Sequence, residues 1–434
     1  MPTIPRDTSF DSTLDVLREG FPFILNRSQR YQTDIFQSRL LLQKVICLHG
    51  PEAAELFYNP ERFMRNGAVP RRIQTTLMGQ DAVQTHDGRE HQQRKQLFMS
   101  MMNPQSVQYL MEIMADEWRA TAHEWEQQRQ VTLFAEAQDI LCRAACAWVG
   151  VPLPEADVRQ RAQDFALMVD AFGGVGPRHG RGKRARTRSE RWIRDFIKEV
   201  RRGDATVPPG SPAEAIAWFR GTDGEPFSNQ MAAIEIINLL RPIVAITYYI
   251  AFAAKALAEY PAYRQLLRTV PRYDHYFSQE VRRFFPFGPF LGARVREDFE
   301  WHGYKFPKGT LTLLDIYGTH HDARFWPDPD TFYPERFRDR EPTPFDLIPQ
   351  GGGDYGTGHR CAGEWITIES LKLAVNFLTR EVEYDVPPQD LSYSLQRMPT
   401  YPKSGVVLEH VRLVVGQDAR MEVQVDEGAR CPFH

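Results

Sequence analysis

Apolar side chains recur at helical spacing through the first two thirds of the chain. The spacing predicts helices over about 33–48, 51–57, 88–102, 104–128, 133–149, 156–172, 187–202, 211–219, 228–258 and 274–284. Strand-like alternation comes late, in 299–306 and 311–315, with turns expected at Gly303 and at Pro307-Lys-Gly309. A further helix is expected from about Ala362 to Arg380. The tail from 383 onward alternates again, through Arg412-Leu-Val-Val and Met421-Glu-Val-Gln-Val. The expected class is mainly α with a minor β part. The most apolar stretch, 236–254, approaches membrane-spanning length, but Asn238, Arg241 and Pro242 lie well inside it. A lipid-facing charge there would be costly, so the stretch is read as a core helix and no integral membrane segment is expected.

No Gly/Ser/Pro-rich linker and no internal repeat divides the 434 residues, so 1–434 is read as one large domain. The tail after about 415 is left without an assignment. With 42% hydrophobic and 25% charged residues the chain is globular, and long enough to enclose a cofactor. A net charge of −3 argues against general nucleic-acid affinity. The one strongly basic stretch, 178–188, is read as a solvated loop and helix start. Cysteines at 47, 142, 146, 361 and 431 are odd in number and irregular in spacing, which is no disulfide framework. A reducing compartment follows, and the N-terminus lacks the plan of a signal peptide, so a cytoplasmic location is expected.

Two features carry chemistry. Arg241 cannot lose its charge and sits in the most apolar helix, so something anionic must meet it. A substrate bringing its own carboxylate would do so. Cys361 sits in a loop rich in glycine, 350–364, that leads into a helix. A haem iron accepts a thiolate as axial ligand, and a glycine-rich turn lets backbone N–H groups shield it. His359 and Arg360 could offer cations to haem propionates. A zinc site would need further Cys or His pairs at ligand spacing, and Cys431-Pro-Phe-His434 supplies only one loose pair.

Three fragments in order carry a resemblance: Glu280-Val-Arg-Arg283, then Pro334-Glu-Arg336-Phe337, then the Cys361 loop. This combination resembles the cytochrome P-450 superfamily over essentially the whole chain. It implies that fold, haem b with Cys361 on the iron, and a Glu–Arg–Arg core cluster. The resemblance further implies propionate partners at His91, Arg94, Lys95 and Arg294. Two departures narrow it. Asp354 and Thr357 stand where an aromatic and a glycine are usual before the cysteine. Arg241-Pro242 replaces the acid–alcohol pair that delivers protons to dioxygen, and Thr247 is a poor substitute.

Both departures resemble the bacterial fatty-acid peroxygenases. That implies a long- or medium-chain fatty acid and hydrogen peroxide as partners, with no redox partner required. It implies Arg241 as the carboxylate anchor, with the substrate carboxylate as acid–base. Pro242 would widen the helix beside the haem. Met78, Val169, Phe172, Phe287 and Phe290 would line the apolar pocket. Gln84 stands where the alkene-forming, decarboxylating branch tends to carry a His, which tilts the expected outcome toward hydroxylation at the α or β carbon. The rivals are a cytochrome P-450 monooxygenase fed by separate redox partners, a fatty-acid decarboxylase, and a haem-binding sensor or carrier without turnover.

Overall fold

The structure, a computed structural model, describes residues 3–414. It opens with α1 (Thr13–Glu19), α2 (Phe23–Tyr31) and a hairpin of β1 (Ile35–Leu40) and β2 (Gln43–Leu48). Then come α3 (Pro51–Phe57), β3 (Phe63–Met64), the single turn α4 (Arg71–Ile73), α5 (Gly88–Met101) and α6 (Pro104–Trp125). A short β4 (Gln130–Thr132) leads into α7 (Leu133–Val149), α8 (Glu155–Asp170), α9 (Pro177–Arg202) and α10 (Pro212–Ala217). The central pair is α11 (Asn229–Ala245) and α12 (Thr247–Glu259), followed by α13 (Ala262–Thr269) and α14 (Tyr273–Phe284). Next are β5 (Phe290–Val295), β6 (Phe299–Trp301), β7 (Tyr304–Phe306), β8 (Leu311–Asp315) and α15 (Tyr317–His320). The chain closes with α16 (Glu364–Asn376), β9 (Val382–Asp385) and β10 (Val407–Leu413). The Met421 segment and Cys431 lie outside the described residues.

The class is mainly α with a minor β part, as expected. The largest core cluster joins α6, α7, α11, α12 and α16 around Trp118, Trp125, Ile140, Ile236 and Leu371. The β part is a five-stranded sheet of order β1-β2-β8-β5-β3, a three-stranded β4-β10-β9 sheet and the β6-β7 hairpin.

Two expectations fail, each for a physical reason. The helix expected over 33–48 is the β1–β2 hairpin. Its run of Ile35, Phe36, Val45 and Ile46 suits a strand as well as a helix. Parallel pairing of Val45–Leu48 with Leu311–Leu314 decides the matter. The basic stretch 178–188 is helical throughout, because α9 begins at Pro177. Its buried face carries Gly182, Ala185, Arg186 and Ser189. A Cβ on Gly182 would come within 2.2 Å of the Ala171 Cβ, so the glycine lets α9 lie close to the end of α8.

The helix that predicted a core position is one. Residues 229–259 are apolar enough to cross a bilayer, yet 89% of the apolar window is buried inside the molecule. Pro242 has no N–H to give the Asn238 carbonyl, and the helix breaks four residues later at Ile246. There the Ile246 N–H tightens onto the Ile243 carbonyl at 3.0 Å.

Candidate active site

The Cys361 loop is held from three sides. The Cys361 N–H donates to the Gln350 carbonyl at 3.0 Å. Arg282 on α14 donates to the Gln350 side chain at 2.9 Å and to Glu364 at 2.5 Å. Arg360 reaches the other oxygen of Glu364 at 2.5 Å. Asp354, the unusual residue seven before the cysteine, folds the loop on itself by accepting from the Thr357 N–H at 2.6 Å and hydroxyl at 2.7 Å. Behind this loop the expected Glu–Arg–Arg cluster is assembled. Glu280 takes two bonds from Arg283, both 2.7 Å, and faces Arg336 at 3.1 Å.

Cys361 lies deep in the molecule, yet it keeps accessible surface. That combination marks an internal space in front of the thiol. Burial pushes the thiol up, while Lys95, the Gly363 N–H and Arg241 pull it toward thiolate.

Within electrostatic reach of the thiol stands Arg241. It is 8% exposed, and its Nε has no hydrogen-bond partner. Among the described residues no carboxylate forms an ion pair with it. Burial, and then the like charge of Arg186, push it down to about 9, against the pull of Cys361. Arg186, on α9, is itself 2% exposed; it donates to the Leu77 carbonyl at 3.0 Å and to Glu190 at 2.5 Å, and its Nη2 is unpartnered. The loop it holds passes through Gly79, at φ 93°, where a Cβ would come within 2.5 Å of that same Nη2. Glu235, fully buried on α11, takes the Val83 N–H at 3.0 Å and the Asn238 amide at 3.1 Å, which ties the Gln84 turn to the central helix. Gln84 Oε1 is buried without a partner.

Basic groups gather at one edge. His91 on α5 stacks on His359 with ring centroids 3.8 Å apart, and burial with two cationic neighbours pushes it down to about 3. His359 faces Asp87 at 3.6 Å. Lys95 donates to the Arg360 carbonyl and is pushed down to about 8 by burial. Arg65, which the sequence reading did not single out, is buried here over the rings of Phe57 and Tyr58, at 4.2 and 5.3 Å. Two expected members are engaged elsewhere. Arg94 turns to Glu90 at 2.5 Å, the Asp81 carbonyl at 2.6 Å and Glu235 at 3.3 Å. Arg294 donates to the Gly67 and Gly309 carbonyls at 2.7 and 2.8 Å.

The apolar candidates also divide. Val169 and Phe287 come together with Ala245 and Tyr248 of the central helices and with Leu77. Met78 ends the π-helical turn Gln74–Met78 next to it, and Phe172 follows Val169 in the turn after α8. Phe290 belongs to a different group, packing with Phe23, Phe36 and Leu313 where β5 enters the sheet. Strand pairing of Phe290 with Asp315 carries it there.

These residues fit a haem. No group of three or more His, Cys, Asp or Glu side chains that could hold a metal exists among the described residues. A metal at Cys361 must therefore bring its other ligands with it, as a macrocycle does. The cluster of His91, His359, Lys95 and Arg65 suits two propionates.

Comparison with known proteins agrees. The family model described as Cytochrome P-450 matches residues 276–408. The solved structure of cytochrome P-450 EX alpha with myristic acid is 43% identical, covers 95% of this chain and 100% of its own, and superposes with a TM-score of 0.92. A variant of cytochrome P-450 OleT in complex with arachidonic acid is 38% identical over 96% of this chain and 100% of its own, with a TM-score of 0.93. A curated relative, cytochrome P-450 4e5 of Drosophila mettleri, is 34% identical over 112 residues, 26% of this chain and 21% of that one. The beta-amyrin 6-beta-monooxygenase of Solanum lycopersicum is 23% identical over 418 residues, 87% of this chain and 85% of its own. A thiol facing an internal space, the Glu–Arg–Arg cluster behind it and these matches lead to one statement: the chain belongs to the cytochrome P-450 family of haem–thiolate oxidoreductases.

Proposed function

We propose that the protein is a peroxygenase that hydroxylates fatty acids at the α or β carbon with hydrogen peroxide. Cys361 is the thiolate ligand, and His91, His359, Lys95 and Arg65 face the propionates. When bound, the haem supplies oxygen transfer, and a thiolate ligand favours O–O cleavage. The single observation that carries the reading is Arg241, buried within electrostatic reach of Cys361 without a carboxylate partner.

Arg241 binds the substrate carboxylate as a planar fork, which fixes its position as well as its charge. A proton must leave one peroxide oxygen and arrive on the other, and the distal residues named here include no free protein acid to move it. The carboxylate held by Arg241 takes that proton and returns it. One peroxide oxygen leaves as water and the other is inserted into a C–H bond, so the balance is fatty acid plus peroxide to hydroxy acid plus water. Anchoring at Arg241 limits the carbons within reach to those next to the carboxylate. Val169, Phe287, Leu77 and Met78 exclude water around the chain. The two structures complexed with myristic and arachidonic acid support the substrate class.

Gln84 favours hydroxylation over loss of the carboxylate, because a neutral amide cannot donate a proton as an imidazolium can. Product analysis tests the proposal: purified protein, a long-chain fatty acid and peroxide, with no reductase. The expected products are 2- and 3-hydroxy acids. Turnover only with NAD(P)H and redox partners would replace the reading with a monooxygenase, and a product dominated by terminal alkene would remove the role given to Gln84.

A further inference from the structure

A cleft of about 390 Å³ lies between α9, the start of α11 and the 75–81 loop. It opens to solvent, since Gln80, Asp81, Thr187 and Ser228 along it are exposed. Apart from Met231 and Ile234, every side chain lining it is polar or charged. Its two cations, Lys183 and Arg186, are matched in number by Asp81 and Glu190, so the lining carries no net charge. An anionic apolar chain gains nothing from such walls. A small neutral polar molecule finds both donors and acceptors there.

Arg186 and Ile234 are the two buried members of the lining, at 2% and 3% exposed, and form its floor. Gly79 closes against both: a Cβ there would come within 2.5 Å of Arg186 Nη2 and 2.6 Å of the Ile234 side chain. From Ile234 one face of α11 continues through Asn238 to Arg241, at i, i+4 and i+7. The helix rises about 10 Å over that interval. Polar atoms are left over all along it. Arg186 Nη2 at the floor, Asn238 Oδ1 and Arg241 Nε on α11, and Gln84 Oε1 in the turn that Glu235 ties to α11 are all buried without a partner. Such atoms are ordinarily met by water or by a small polar ligand.

We infer that this cleft is a second entrance to the distal site, by which hydrogen peroxide and water pass while a fatty acid fills the apolar pocket. The order of binding calls for one. With the carboxylate on Arg241 and the chain against Val169, Leu77 and Phe287, whatever reaches the iron afterwards must come another way. Peroxide and water are small and neutral, and both donate and accept hydrogen bonds, which is the chemistry that the lining and the unmet atoms offer. Ile234 is the apolar part of the floor, so its size sets the width of the passage. Peroxide as the molecule carried rests on the peroxygenase reading; the passage of small neutral molecules does not.

The test is the association of hydrogen cyanide, a small neutral ligand at neutral pH, with the ferric holoenzyme. It is followed in the Soret band with and without saturating myristic acid. Thr187→Trp fills the cleft from the exposed side of α9 and leaves the core untouched. It should slow association about tenfold with myristic acid bound, and less than about twofold without it, because the apolar pocket is then open. Its affinity for myristic acid should be unchanged, and its KM for peroxide should rise by a similar factor. Ile234→Ala, which widens the floor, should speed association with the acid bound. Equal rates in Thr187→Trp and wild type with the acid bound would overturn the inference, as would an Ile234→Ala enzyme no faster than the wild type. So would a slowing of the same size without the acid, which marks a general disturbance of the haem pocket. If the cyanide rates respond as expected while peroxide drives no turnover, the passage stands and the peroxygenase reading falls.

Discussion

Buried arginines occur on both sides of the thiol, and they differ in what meets them. Behind the Cys361 loop, Arg283 and Arg336 share Glu280, and Arg282 and Arg360 share Glu364. On the distal side, Arg241 has no carboxylate partner among the described residues, and Arg186, joined to Glu190, still holds an unpartnered nitrogen. The first set is closed: each charge is met within the chain, so its loss should be felt in stability. The second set is open, and its loss should be felt in binding. A guanidinium kept in an apolar core without a partner has a ligand as its most economical explanation.

The largest expected effect comes from opening the closed set. Glu280→Ala leaves Arg283 and Arg336 buried without their carboxylate and should destabilise the fold by about 3–5 kcal/mol. The denaturant midpoint would measure this, and a loss below about 1 kcal/mol would break the contrast between the two sets. Arg241→Ala should do the reverse. Stability should hold or improve, since an uncompensated buried charge is removed, while fatty-acid affinity falls by a factor of several hundred, equivalent to about 3–5 kcal/mol. Arg241→Lys should recover little of it, because a point charge does not reproduce the fork. Titration of the haem spectrum with a fatty acid gives both numbers.

A third test concerns a closed charge far from the site. His49 lies between Asp315 and Asp322, at 3.0 and 2.8 Å, and these carboxylates raise it to about 9 despite its burial. Burial pushes Asp315 up, while Asp322 is held well below its usual range, so Asp322 is the firmer anchor of the charge. The folded value lies above the unfolded one. The stabilisation is therefore complete below about pH 6.5 and is lost as pH rises through about 9, up to about 3 kcal/mol in all. His49→Gln should flatten that alkaline decline in thermal midpoint; an unchanged decline would remove His49 as its cause.

The smallest effect is the most selective. Arg186 lies within electrostatic reach of Arg241. Arg186→Gln should weaken fatty-acid binding about tenfold, or about 1.4 kcal/mol, and leave a fatty alcohol of the same length unaffected. A merely structural role would weaken both alike, and Arg186→Lys should restore the acid's affinity.

The contrast was half legible in the sequence. Cys361, Arg241 and the Glu280–Arg283–Arg336 set stand out because their residue types are conspicuous where they occur. Arg65, Arg186 and Glu235 were missed. Arg186 hides in a basic run that reads as a solvated surface, and only the packing of Gly182 and Ala185 on α8 turns it inward. Arg94 and Arg294 meet protein carbonyls and carboxylates that spacing on a helix or strand could not foretell, since spacing gives a face but not a partner. The packing of Phe290 against Phe23, Phe36 and Leu313 was hidden for the same reason. The β1–β2 hairpin went unseen because its turn is Leu-Leu, without the glycine or asparagine that usually announces one.

The central claim is that the carboxylate held by Arg241 acts as acid and base on peroxide. The direct measurement is oxidation of a carboxylate-free aromatic by peroxide, with and without a short-chain acid such as heptanoate, in wild type and in Arg241→Ala. The account predicts slow turnover of the wild type alone, a marked rise when the short acid occupies the Arg241 site, and no rise in Arg241→Ala. Equal rates with and without the acid would contradict it.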